Sequence, residues 1–160
     1  MRGMDSPKIA MSQDDFKAAD SPLSSALHLL FRAGQRADRL FARQVEMVVT
    51  VRQLMVLQAV SEANAPSQMD IGIATGIDRS SIADLVKRLV SYGWLRRRHP
   101  KGDARSYIVS LTVAGERILA SGRPAVRAAE NCLLSSVAAS NGEILVSALK
   151  ALADGDQLSG

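Results

Sequence analysis

Between Leu23 and Phe41 the apolar and small residues fall at Leu23, Ala26, Leu27, Leu30, Phe31, Gly34, Ala37 and Phe41, the three-and-four spacing of one helical stripe. Ser21-Pro22 reads as a cap followed by proline at the first helical position, where its missing N–H costs nothing. A long first helix to about Val45 is therefore expected. Residues 1–20 carry no sustained period and read as a flexible arm.

The run Val48-Val49-Thr50-Val51 has strand-like composition. However, Thr50 and Gln53 stand at capping-box spacing, and Val49 with Leu54 can form the accompanying hydrophobic staple. A second helix is predicted from there to about Ala63, with Val51, Leu54, Met55, Leu57 and Val60 facing inward. Asn64-Ala65-Pro66 ends it. Ser67 and Asp70 repeat the cap and open a short third helix carrying Ile71, Ile73 and Ala74, which Gly76 closes. Asp78 caps a fourth helix whose stripe is Ile82, Leu85, Val86, Leu89 and Val90, and Tyr92-Gly93 stops it. Two helices joined by Thr75-Gly76-Ile77 predict a helix-turn-helix. The stripe leaves Ser80, Ser81, Asp84, Lys87 and Arg88 on the outer face of its second member.

Trp94 to Arg98 and Arg105 to Leu111 flank a Pro/Gly-containing basic segment and predict a β-hairpin, with Trp94 and Tyr92 packing at its base. Thr112 caps a fifth helix carrying Ile118 and Leu119. It passes or kinks at Pro124 and continues through Val126, Leu133, Leu134 and Val137. Ser140 and Glu143 again have capping-box spacing and open a last helix with Ile144, Leu145, Ala148, Leu149 and Leu152. The predicted class is mostly α, in the order α-α-α-α-β-hairpin-α-α: a winged helix-turn-helix over residues 51–115 within a single domain over 21–160.

Composition narrows the function. With 160 residues, 47% apolar and 4% aromatic, the chain supports one core, built from helices packed through aliphatic seams. Residues 79–105 carry eight Lys and Arg against two Asp, an excess of six in a chain whose net charge is +4. One basic stretch in an otherwise slightly acidic chain suits a polyanion such as double-stranded DNA. A lone Cys132 beside Leu133 and Leu134 is expected to be an inert packed thiol, and no His/Cys cluster offers a metal site. No cofactor is expected. No apolar segment is long enough for export or membrane spanning, so the cytoplasm is the expected location. His28 and His99 lie in different contexts and no nucleophile motif or phosphate-cradling loop is present, so an enzyme is not expected.

A helix-turn-helix sets its second helix in the major groove, where short polar side chains approach base edges and Lys or Arg reaches edges or phosphates. An Arg at the tip of the following hairpin can enter the minor groove. The expected DNA-binding set is Arg79, Ser80, Ser81, Asp84, Lys87, Arg88, Arg98, Lys101, Asp103 and Arg105.

Two stretches, Arg79-Ser80-Ser81-Ile82-Ala83-Asp84-Leu85-Val86-Lys87-Arg88-Leu89 running on to Tyr92-Gly93-Trp94-Leu95-Arg96-Arg97, and Asp103-Ala104-Arg105-Ser106-Tyr107 running on to Leu111-Thr112-Val113-Ala114-Gly115, resemble the MarR family of transcriptional regulators. The resemblance implies a homodimer held by residues 21–46 and 116–153, a pseudo-palindromic operator and two wings. It also implies that Arg105 reaches into the minor groove, oriented by Asp103. The basic residue usual between those two is Ala104 here.

Many members bind a small aromatic acid, a phenol or a related coenzyme A thioester between the dimer helices and the winged domain, and release DNA. The resemblance thus implies a ligand-responsive repressor. His28, Arg32, Arg36, Arg52 and Met55 lie near the expected cleft, and cations beside apolar walls suit a carboxylate or phenolate. His28 also reads as a surface or satisfied histidine, and Arg32 and Arg36, spaced i, i+4, also read as a solvated face. The competing expectation is a winged helix without effector, serving as a sequence-tolerant architectural DNA binder or a protein-interaction module.

Overall fold

Thr50 donates its backbone N–H to Gln53 Oε1 at 2.9 Å and its hydroxyl accepts from Gln53 N at 3.3 Å. This reciprocal cap turns a β-branched run into a helix start. In the computed structural model, residues 25–46, 49–63, 65–99 and 107–154 are described. The elements are α1 Ala26–Gln44, α2 Val51–Glu62, α3 Gln68–Thr75, α4 Arg79–Ser91, β1 Leu95–Arg98, β2 Ile108–Leu111, α5 Val113–Leu134 and α6 Ala139–Asp154. The class and element order match the sequence-based expectation. The arm over 1–20, the Ser21-Pro22 start and the hairpin tip with Lys101, Asp103 and Arg105 lie outside the described residues.

The chain divides into two compact units, residues 1–36 and 37–160. In the first, Ser25 caps α1, its hydroxyl accepting from His28 N at 3.2 Å. Along this part of α1, Leu27, Leu29, Leu30 and Phe31 are exposed.

The second unit holds the core, where Val56, Leu57, Val86, Leu89 and Val109 are fully buried beside Leu54, Ile71, Ile82 and Leu95. On α2 the inward face is turned slightly from the expected one. Val56 is buried where Met55 was expected, and Met55 is 42% exposed. Ile73 is likewise exposed on α3. Gly76 ends α3 at φ 66°, in the left-handed region that a side chain resists. Asp78 then caps α4, its Oδ1 accepting from Ser80 N at 3.0 Å and Ser81 N at 2.9 Å.

β1 and β2 pair antiparallel with Leu95 opposite Leu111 and Arg97 opposite Val109. A bridge from Ser67 to Ile108, with Val109 N donating to Pro66 O at 2.9 Å, ties the outer edge of β2 to the residues that open α3. Tyr92 and Trp94 pack at the base of the hairpin, before Leu95, with ring centroids 5.2 Å apart.

The fifth helix runs through Pro124 without ending. Besides Leu119 it buries small residues, Gly115, Gly122, Ala125 and Ala129, while the larger Val126 is exposed. Close approach to α2 explains the choice: a methyl on Gly122 would stand 2.5 Å from Leu54 Cδ1. The expected Ser140–Glu143 cap does not form. Ser140 lies inside α6, which starts at Ala139, and its hydroxyl donates to Asn141 Oδ1. No residue of α6 is buried. Cys132 is exposed, not packed as its apolar neighbours suggested, because α5 turns Leu133 and Leu134 toward the protein and leaves position 132 outward.

Candidate nucleic-acid interface

At 3.6 residues per turn, burial of Ile82, Val86 and Leu89 places positions 80, 84, 87 and 91 on the opposite side of α4. Ser80, Asp84 and Lys87 form that outermost row, and all three are exposed. Ser81 and Arg88 occupy one flank, where they line a cleft with Asp38, Arg52 and Asp84. Arg79, at the first turn, lies on the other flank and lines a second cleft with Gln68, Gly72 and Tyr107. Arg98 is exposed at the end of β1.

Chemistry distinguishes these side chains further. The Ser80 hydroxyl donates to Asp78 Oδ1 at 2.6 Å, so toward a base edge it is left as an acceptor. Asp78 is held well below the usual carboxylate range, first by the Ser80 side-chain hydrogen bond and then by those from Ser81. It stays anionic at the N-terminus of α4, where negative charge complements the helix dipole. Lys87 makes no side-chain hydrogen bond among the described residues, so it remains available to a partner.

Strand alternation should put an apolar residue at position 97, on the Leu95 face of β1, yet Arg97 stands there, opposite the fully buried Val109. Its guanidinium carbon lies 4.6 Å from the Tyr107 ring centroid, and the Tyr107 hydroxyl donates to Gln68 Oε1. Sequence reasoning passed over these three residues. The departure from alternation at Arg97 was the signal that could have found them.

The residues expected to face an effector are divided. His28 is half-buried, and Arg32 and Arg36 are exposed, all on the α1 segment of the first unit. Arg52 and Met55 do not share a cleft. Arg52 lines the polar one beside α4. Met55 lines an apolar one of about 610 Å³ between α2 and α5, together with Leu54, Ala59, Leu119 and Val126. That apolar cleft also has two arginines that were not singled out from sequence, Arg123 and Arg127, one turn apart on α5. Arg123 donates from Nε at 3.3 Å and Nη2 at 3.1 Å to Gln58 Oε1. No ion pair to Arg127 forms among the described residues.

A family model described as the MarR family matches residues 49–106. The chain is 28% identical over 134 residues to the HTH-type transcriptional repressor NicR of Pseudomonas putida, covering 83% of this chain and 85% of that one. Among solved structures, the PcaV transcriptional regulator of Streptomyces coelicolor in complex with its natural ligand superposes with a TM-score of 0.76 at 26% identity, covering 84% of this chain and 95% of that one. The transcriptional repressor CouR bound to a 23-mer DNA duplex does so with a TM-score of 0.72 at 27% identity, covering 81% and 92%.

Proposed function

The chain belongs to the MarR family of winged helix-turn-helix regulators, and from that premise we propose that it is a ligand-responsive transcriptional repressor that binds a pseudo-palindromic operator as a homodimer. The observation that carries the reading is α4. Its outer row of Ser80, Asp84 and Lys87 is exposed and polar, and a strand of three consecutive arginines follows it. Such a surface approaches base edges with short side chains and the sugar-phosphate backbone with cations. That CouR, of the same fold, is seen on a DNA duplex supports the reading. In the same proposal Arg105, oriented by Asp103, reads the minor groove, and Arg98 and Lys101 hold the backbone beside it.

Dimerisation is supported by apolar surface with no cover in the single chain: Leu27 and Phe31 on α1 in one unit, and Ile144, Leu149 and Leu152 on α6 in the other. A two-fold arrangement would set the two α4 helices about one helical turn, roughly 34 Å, apart along the duplex. No single helix among the described residues is long and apolar enough to cross a membrane. Together with the family's role this favours action in the cytoplasm, without a catalytic step.

For the effector, the apolar cleft between α2 and α5 is the better supported place. Its walls are aliphatic, its volume falls in the range of small-molecule sites, and Arg123 and Arg127 stand at its margin. An aromatic acid or its coenzyme A thioester fits that chemistry, and the ligand complex of PcaV supports the class. Arg52 remains a candidate for a second polar contact, and His28, Arg32 and Arg36 remain separate candidates on the α1 segment of the first unit.

The test is a gel shift at fixed salt with a duplex selected from a random library by the full-length protein, compared with random duplex. A regulator gives roughly 10³-fold or greater discrimination. Equal affinity for both duplexes would favour the architectural alternative.

A further inference from the structure

Beside the loop end of the strand pair, three residues from separate segments of chain line one cleft, and a fourth lies against one of them. Gln68 opens α3, Arg79 opens α4, Arg97 belongs to β1 and Tyr107 precedes β2. Gln68, Arg79 and Tyr107 line the cleft, whose volume is about 530 Å³, and the Arg97 guanidinium carbon lies over the tyrosine ring, 4.6 Å from its centroid.

Folding alone does not call for Arg97. It occupies the face of β1 that carries Leu95 and opposes Val109, where an aliphatic side chain would cover the core without the cost of fixing a long charged one. Neither Arg97 nor Arg79 forms an ion pair among the described residues, so both guanidinium groups keep N–H donors to offer. A guanidinium held against a ring is restricted in orientation, and its N–H donors stay unspent. That is the preorganised fork that binds a phosphate with two parallel hydrogen bonds.

We infer that Arg97 clasps a backbone phosphate of the duplex strand running between α4 and the hairpin, with Arg79 on the other side of the same cleft, and that Tyr107 and Gln68 are the positioning residues that aim it. This rests on the DNA-binding reading above and adds to it a contact that belongs neither to the outer row of α4 nor to the hairpin tip. The Tyr107 hydroxyl, bonded to Gln68 Oε1, fixes the ring on which Arg97 lies. The main-chain bonds from Ser67 and Pro66 to β2 fix the strand that carries it. Because Gln68 is the first residue of α3, the same hydrogen bond links hairpin and helix-turn-helix as one surface.

The experiment titrates the full-length protein against a duplex selected from a random library, at several salt concentrations, with thermal melting of each variant alongside. Arg97→Ala is expected to lower affinity about tenfold for every sequence, with base preference unchanged, and to reduce the slope of log affinity against log salt by about one. Arg97→Lys should restore the slope while recovering only part of the affinity, since a lysine carries the charge without the fork. Tyr107→Phe keeps the ring and loses the hydroxyl. It should weaken binding by a smaller factor with the full slope retained.

A variant Arg97→Ala that keeps the wild-type slope would overturn the proposal, whether its affinity is unchanged or falls together with its melting temperature. Lys87→Ala, on the outer row of α4, serves as the reference. If that variant loses binding while Arg97→Ala does not, the DNA-binding reading stands and the phosphate clasp fails. If the wild-type protein selects and retains no duplex, the reading beneath it fails first.

Discussion

A methyl group placed on Gly115 would stand 2.1 Å from the carbonyl oxygen of Trp94, a separation no side chain tolerates. That same oxygen accepts from Thr112 N at 3.0 Å and from the Thr112 hydroxyl at 3.2 Å. The turn between α4 and β1 and the start of α5 are thus locked at one backbone carbonyl. The obstacle is main chain rather than a movable side chain, so Gly115→Ala should destabilise the protein by about 3 kcal/mol or more. At Gly122, by contrast, the methyl meets the mobile end of Leu54, and Gly122→Ala should cost about 1 kcal/mol. Denaturant melts of the two variants order these effects. A Gly115→Ala variant as stable as wild type would refute the lock.

Acid should loosen the helix-turn-helix through Asp78. Its carboxyl is held below the ordinary value of 3.8 by the Ser80 and Ser81 hydrogen bonds, so the folded state binds its proton less readily than the unfolded state does. The stabilisation is therefore fully present above pH 3.8 and is lost as pH falls from there through the depressed folded value. Asn also caps helices through its side-chain oxygen but cannot ionise. Asp78→Asn should melt below wild type at neutral pH, and the difference should close as pH drops below 3.8. Asp70 is depressed in the same direction by its hydrogen bonds with Ser67 and remains in both proteins. A gap of constant size from neutral to acid pH would assign the stabilisation to geometry alone.

How far the sequence could be read is clear from its caps. Thr50 with Gln53, Ser67 with Asp70, and Asp78 all rest on side chains within three residues, and all form as expected. Ser140 with Glu143 has equal spacing and fails, because α6 has already begun at Ala139. Spacing reports that a cap is possible, not where the chain chooses to turn. The burial errors have a different origin. Met55 and Val56 are both apolar neighbours on α2, so the pattern alone leaves open which one is buried, and packing selects Val56. The candidate DNA surface on α4 was legible because its stripe is clean. The Gln68–Tyr107–Arg97 contact was not, since it joins positions 68 and 107 through a pairing that only the folded sheet creates.

Base reading and backbone binding separate by their salt behaviour. Ser81→Ala or Lys87→Ala, if either side chain reads a base edge, should shift sequence preference by about 1–3 kcal/mol at one operator position while leaving the salt slope near its original value. Arg105→Ala should weaken binding of A·T-rich flanks more than G·C-rich ones, because a narrow minor groove carries the deeper negative potential. Binding curves on a randomised duplex pool resolve both outcomes. Uniform loss across all sequences for Lys87→Ala would make that lysine a phosphate contact instead.

The apolar cleft leads to a prediction that does not involve DNA at all. Arg123 lies at its margin with two donors on Gln58 Oε1, while Gln58 Nε2 donates to Glu62 Oε1, so a neutral amide stands between the cation and the one carboxylate that lines the cleft among the described residues. The arginine is thereby oriented without being neutralised, and its remaining donors can take a ligand carboxylate whose ring lies on Met55, Leu119 and Val126. In a thermal-shift panel of aromatic acids and their coenzyme A thioesters, a ligand at a hundred times its dissociation constant stabilises the fold by about 2.7 kcal/mol. Arg123→Ala should lose at least tenfold in affinity and so retain about half of that stabilisation or less. Gln58→Leu, which frees the arginine to move, should fall between the two. If wild type and Arg123→Ala respond equally to every acid in the panel, the carboxylate is held elsewhere, and the cleft bearing Arg52 becomes the place to look.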